Sequence, residues 1–258
     1  MSLNRTRFWY EGSATVHFDY YHGLPIDYPS GASELAGTLS TAEAPDGVGV
    51  EVQRVSVPER SITINGYIIQ LPSAPARRLL ERAFAPCSSG RLWAVTEGER
   101  RFFLDCISSA AAIIEGARQF PRFQVQISAP YPYWQAEQET TVAIPTAGSV
   151  VEEIGTDVPT LFTLAVTAAG GAANGIRLTV GGQYLHYAGT LSAGQTLTVS
   201  SDAAGRVSAT VGGSSVIGQV SGALKKLPAG RQTLTLTAQG AAGTVSATIK
   251  YREARAGV

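Results

Sequence analysis

Turn-forming residues punctuate the second half of this chain at intervals too short to leave room for ordinary helices. Asn174-Gly175, Gly181-Gly182, Ala193-Gly194, Asp202 to Gly205, Gly212-Gly213, Pro228 to Gly230 and Gly240 to Gly243 recur about every 8 to 12 residues. Between them lie short β-prone runs: TLFTLAV, GIRLTV, QYLHYAG, QTLTVS, RVSATV, RQTLTLTA and TVSATIK. No helical periodicity competes, so this half is expected to be an antiparallel β-sandwich.

Upstream of Glu137 the chain reads differently, with Arg, Phe, Tyr and Trp well represented. The change of character falls at Ile127 to Trp134, ISAPYPYW, where Pro130 and Pro132 block helix and three rings require a packing surface. We read this segment as a rigid seam, with Trp134 packed at the junction and Tyr131 and Tyr133 packing in preference to forming an exposed patch. A chain of 258 residues is long enough for two ordinary domains, expected at 1–134 and 135–258.

The first domain is expected to be mainly β with one helix. Phe8 to Tyr20 is rich in aromatic and β-branched residues, and Val48 to Val57 alternates apolar with polar, so both read as half-buried strands. Leu24 to Gly47 lacks periodicity and reads as a long loop or arm. Asn65-Gly66, between two β-prone runs, reads as a tight hairpin turn. The spacing then predicts a helix over about 75–85, with Ser73 as N-cap, Pro75 in the first turn, Leu79, Leu80, Ala83 and Phe84 on one side, and Pro86 ending it. Arg77, Arg78, Glu81 and Arg82 fall on its other face. The three arginines are candidate subunit contacts, although a solvated charged face is the simpler reading. RLWAV and RRFFLDCIS form a hairpin turning at Glu97 to Glu99, and Phe123, Val125 and Ile127 share one face of a strand leading into the seam. The tail Tyr251 to Val258 carries charge and reads as an exposed end.

Charge and motif content exclude several functions. Lys plus Arg and Asp plus Glu number 20 each, so no net field favours nucleic acid or an anionic membrane, and sequence-specific nucleic-acid binding is not expected. No apolar run approaches the ~20 residues that span a bilayer, and the N-terminus lacks the apolar core of a secretion signal, so we expect no membrane insertion and synthesis in the cytoplasm. Cys87 and Cys106 are too few for a disulfide framework and lack CxxC spacing; both read as small core hydrophobes.

Nothing in the sequence assembles a catalytic, cofactor or metal constellation. The three histidines, His17, His22 and His186, stand in no HExxH-like spacing; His17 and His22 could share an edge of the first hairpin, but a surface or core role is preferred. Glu152 and Glu153 are adjacent on a strand and point to opposite faces, so they cannot flank one bond. Ser214-Ser215 within GGSSV lies in no phosphate-loop motif. An alternative to a purely structural role is carbohydrate binding by the sandwich through an exposed ring, for which Tyr184 and His186 are the candidates.

In order, the blocks ERSITINGYI, RRLLERAFAPCSSGRLWAV, FQVQISAPYPYW, LSAGQTLTVSSDAAGRVS and LPAGRQTLTLTAQG span Glu59 to Gly240. That succession resembles the distal tail proteins of long-tailed bacteriophages. The chain departs from the family at VVEEIGT, 150–156, where an Asn-Gly style turn is frequent, and residues 1–47 match no block. The resemblance implies an N-terminal β-barrel-like domain that forms a hexameric ring and a galectin-like C-terminal β-sandwich projecting outward. It further implies a non-enzymatic virion component at the tail tip, without cofactor. Its partners would be the tail tube protein, the hub or fibre proteins, and the tape-measure protein in the lumen.

Overall fold

The computed structural model describes residues 6–35, 37–43, 50–96, 98–116, 120–240 and 245–258. It divides into two compact units, one of Met1–Gln135 with Ala256–Val258, the other of Ala136–Arg255.

The first unit contains β1 (Arg7–Glu11), β2 (Thr15–Phe18), β3 (Thr38–Glu43), β4 (Val50–Ser56), β5 (Arg60–Tyr67), α1 (Ala74–Ala83), β6 (Ser89–Val95), β7 (Arg101–Ser108), β8 (Ile113–Glu115) and β9 (Arg122–Ala129). Its main sheet runs β2-β1-β6-β7-β9-β5, antiparallel throughout, with β8 also on β9. Among the described residues no pairing of β2 with β5 closes this sheet into a barrel. Alternation fixes the register: Phe123, Val125 and Ile127 of β9 are buried together, as their spacing predicts. Leu80, Ala83 and Phe84 of the helix segment are buried, and the Phe84 ring lies 4.4 Å from Tyr10 and 6.3 Å from Phe18, so α1 covers the inner face of the sheet. Ser73 occupies the N-cap position without a side-chain cap hydrogen bond, and Pro75 sits in the first turn.

Four local expectations for this unit are corrected. Asn65-Gly66 is not a turn but the interior of β5, paired with Gln124 and Phe123. Gly66 is required because the 24–30 segment crosses it: a Cβ there would stand 2.5 Å from the Pro25 carbonyl oxygen and 2.7 Å from the Phe123 ring. The Leu24–Gly47 stretch is not structureless, since Ile26 and Ser30 bridge to β5 and β3 pairs antiparallel with β4; residues 44–47 of it lie outside the described residues, as does Glu97 in the β6–β7 turn. β3 and β4 form a separate two-stranded ribbon. Val48 and Gly49 lie outside the described residues; Val52 is 51 % exposed and Val57 38 %, so these two positions are not buried as the alternation predicts. Cys87, finally, is exposed: it follows Pro86 in the turn after α1 with φ of 63°, whereas Cys106 is buried as expected.

The second unit begins within β10 (Trp134–Ile144) and continues through β11 (Gly148–Ile154), β12 (Phe162–Ala168), β13 (Ala173–Val180), β14 (Gln183–Leu191), β15 (Thr196–Ser201), β16 (Val207–Val211), β17 (Ser214–Ser215), β18 (Val220–Gly222), β19 (Gly230–Gly240) and β20 (Val245–Arg255). One layer has the order β17-β16-β15-β12-β20-β10, the other β11-β19-β13-β14-β18. Inward residues of both, among them Leu164, Val166, Val199 and Ile249 from the first and Leu178, Leu185, Leu234 and Leu236 from the second, form one continuous core. The tail is not an exposed end. β20 runs to Arg255 with Tyr251 and Ala254 buried and Arg252, Glu253 and Arg255 half-buried.

Candidate functional surfaces

The face of β1, β6 and β7 turned away from α1 is aromatic: Trp9 on it is half-buried, and Trp93 and Phe103 are buried at 7 % and 4 % exposure. Trp9, Trp93 and Phe103 stand directly opposite one another in the register. The two indoles stack in parallel with ring centres 5.4 Å apart, and the Phe103 ring centre lies 5.2 Å from that of Trp93. Glu11 ties the pair together, one carboxylate oxygen accepting from Trp9 Nε1 at 2.9 Å and the other from Trp93 Nε1 at 2.8 Å. Arg91 lies over Phe103 at 4.4 Å while its Nε donates to Asp105 at 2.7 Å, and Arg101 lies over Trp9. Sequence reading missed this ladder, although its signal was available: an aromatic on the second face of three strands whose first face is already apolar.

The candidate arginines of α1 are not alike. Arg77 Nη2 donates to the Gly116 carbonyl at 2.6 Å, and Arg82 Nη2 donates to the Ser13 carbonyl at 3.1 Å while Ser13 Oγ donates back to the Arg82 carbonyl. Arg77 and Arg82 therefore fasten the helix to neighbouring loops of its own unit. Arg78 is exposed.

At the seam, Trp134 is wholly buried within the first unit, its ring 6.4 Å from Phe8 and its Nε1 donating to the Ala32 carbonyl at 2.9 Å. Pro132 and Tyr131 are buried and Pro130 is exposed. The same Ala32 carbonyl accepts from Nη1 of the buried Arg60 at 2.8 Å, and Arg60 Nη2 donates to the Ala256 carbonyl.

On the outward face of the second unit's β11-β19-β13-β14-β18 layer, Tyr184 and His186 lie two apart on β14, while Leu185 and Tyr187 turn into the core. Arg177 pairs across the strands with His186 and places its guanidinium 4.1 Å from the Tyr184 ring centre. A half-exposed ring beside a cation and an imidazole can stack on a sugar face and donate hydrogen bonds to hydroxyls. Glu152 is half-buried and Glu153 exposed on β11, consistent with opposite faces.

The structure brings His17 and His22 together, with Asp19 between them. Their rings stack 4.6 Å apart, and His22 Nδ1 meets the Asp19 carboxylate at 2.8 and 2.9 Å. Burial alone would push the Asp19 carboxyl up, but hydrogen bonds from the His22 backbone N–H and imidazole hold it below its ordinary value. Asp202 is likewise held low by the Arg206 backbone N–H and then its guanidinium. Neither carboxyl is tuned to deliver a proton near neutrality.

No protein-family model matches the chain, and no curated protein matches it. Among solved structures it is similar to the crystal structure of the SPP1 Dit protein, described as a paradigm of the hub adsorption apparatus in phages that infect Gram-positive hosts. That likeness has a TM-score of 0.68 and 14 % identity, and covers 96 % of this chain and 98 % of that one. A second likeness, with a TM-score of 0.49 and 10 % identity over 98 % of this chain and 99 % of the other, is to a chain of the phage P2 baseplate in its activated conformation with Ca. The chain thus has the fold of the SPP1 Dit protein over nearly its whole length.

Proposed function

We propose that this chain is a non-enzymatic structural protein of a bacteriophage tail tip. The observation that supports this most is the likeness to the SPP1 Dit protein, which extends through both units and leaves almost no part of either chain unmatched. In this reading residues 1–134 form a barrel-like, ring-building domain that assembles as a homo-hexamer, and residues 135–258 form a galectin-like sandwich directed outward. The ring joins the tail tube to hub or fibre proteins, with the tape-measure protein passing through its lumen, and it is assembled in the host cytoplasm. Of the three helix arginines, the exposed Arg78 is proposed as a subunit contact, with Arg77 and Arg82 holding α1 in place beside it. Light scattering on the purified protein should give six times the chain mass, and negative-stain images should show rings. A persistent monomer, alone and with tube or hub partners, overturns the reading.

The Arg177–Tyr184–His186 cluster favours a second reading, a sandwich that attaches to host-surface carbohydrate. Binding to a glycan array that disappears in Tyr184→Ala supports it, and silence of the wild type across the array removes it.

A further inference from the structure

We propose that His17, Asp19 and His22 form a binding site for a divalent transition-metal cation, zinc being the first candidate. One ligand atom from each residue lies within 4.8 Å of the others, in the unliganded arrangement of their hydrogen bonds. A tetrahedral ion with bonds of about 2.0–2.1 Å needs its ligand atoms about 3.3 Å apart. The widest pair must therefore close by at most about 1.5 Å, a distance within the reach of side-chain rotation.

The backbone brings these three residues together by construction. His17 is an exposed residue of β2, and Asp19 stands at the bend just past the end of that strand. The chain then folds back at once: Gly23 N–H donates to the Tyr20 carbonyl and Leu24 N–H to the Asp19 carbonyl at 3.0 Å, while the His22 N–H donates to Asp19 Oδ1 at 2.7 Å. Gly23 closes this turn at φ of 74°, where a Cβ would meet the Gln70 side chain at 2.6 Å. The turn carries His22 back onto Asp19 and fixes the third donor before any ion arrives.

Donor chemistry selects the ion. Two neutral imidazoles and one carboxylate suit zinc, cobalt or nickel, whereas calcium prefers six or more oxygens. His17 and Asp19 line a groove of about 490 Å³ that also carries Trp9, Glu99, Arg7 and Arg101, and His22 stands outside that lining. Glu99 offsets part of the positive charge of the two arginines. The side chains of Asp19 and His22 are 43 % and 45 % exposed, which leaves an open side for water or for a donor from another molecule.

Calorimetric titration of zinc chloride into the untagged full-length chain should show one saturable site per chain, reversed by a chelator, and cobalt in its place should develop visible d–d absorption. His17→Ala and His22→Ala should each weaken binding more than about tenfold, and Asp19→Asn about tenfold, while Glu153→Gln leaves it unchanged. Calcium should neither bind there nor compete. Melting curves in chelator establish that each variant is folded; should His17→Ala fail that check, His22→Gln and Asp19→Asn carry the test, since both lie at the exposed turn. Absence of saturable zinc binding, equal affinity in the folded variants, or displacement by calcium each overturns the proposal.

Discussion

Trp134 and Arg60 illustrate how a single acceptor can organise a domain. Both donate to the Ala32 carbonyl, one through a buried indole and the other through a buried guanidinium that also reaches Ala256. Truncating Trp134 to Ala removes a fully buried ring and one of the two donors, so it should destabilise the first unit by about 3–5 kcal/mol. Trp134→Phe keeps most of the apolar volume and should lose only about 1–2 kcal/mol, which denaturant melts of the two variants will separate. The cysteines are a second contrast at this scale. Burial pushes the Cys106 thiol up to about 12, so it stays protonated and shielded at pH 8, while Cys87 stands at the surface. A thiol reagent at pH 8 should modify one cysteine per folded chain, mapped by peptide mass to Cys87, and reach Cys106 only in denaturant. Prompt modification of both would contradict this placement.

At the scale of elements, what could be read in the chain depended on whether local pattern and tertiary contact agreed. β9 was legible because its alternation and its burial coincide, and α1 because Leu80, Ala83 and Phe84 recur at helical spacing and all meet the core. Asn65-Gly66 misled because glycine serves two purposes: it permits a turn, and it permits another backbone to pass closely, and only the fold reveals that Pro25 does the passing. Gly66→Ala should accordingly cost about 1–3 kcal/mol by forcing the 24–30 segment off β5, whereas a turn glycine at φ below zero would have accepted Ala almost freely. A melt of that variant indistinguishable from wild type would mean the crossing is looser than the structure has it. The Trp9–Trp93 stack left a signal in the strand pattern, but its pairing depends on which strands become neighbours. For His17 and His22 a shared hairpin edge could be read, whereas the placing of Asp19 between them depends on how the turn closes, which residue order does not specify.

Across the whole molecule, the two units close in different ways, and their independence can be tested. The second draws its core entirely from residues between Val142 and Tyr251, and its first and last strands, β10 and β20, are neighbours in one layer. A core with no outside contributor, and chain ends that pair with each other, are what a self-sufficient folding unit requires. The first unit instead takes three residues from the far end of the chain: Ala256 accepts from Arg60, and the Val258 carbonyl accepts from the Tyr28 hydroxyl. Removing them leaves a buried guanidinium short of one charge-assisted hydrogen bond, a loss of about 1.5–3 kcal/mol. Expressed separately, residues 136–255 should therefore unfold in one cooperative transition with dispersed amide resonances. Residues 1–135 should melt earlier than the same unit does in the intact chain, and adding a peptide of the last residues in trans should recover little, because its entropy of association exceeds what two hydrogen bonds return. An unfolded 136–255 fragment would show that the sandwich leans on residues outside its own core, and a 1–135 fragment as stable as the intact unit would show that the Arg60 and Tyr28 clasps contribute nothing to stability.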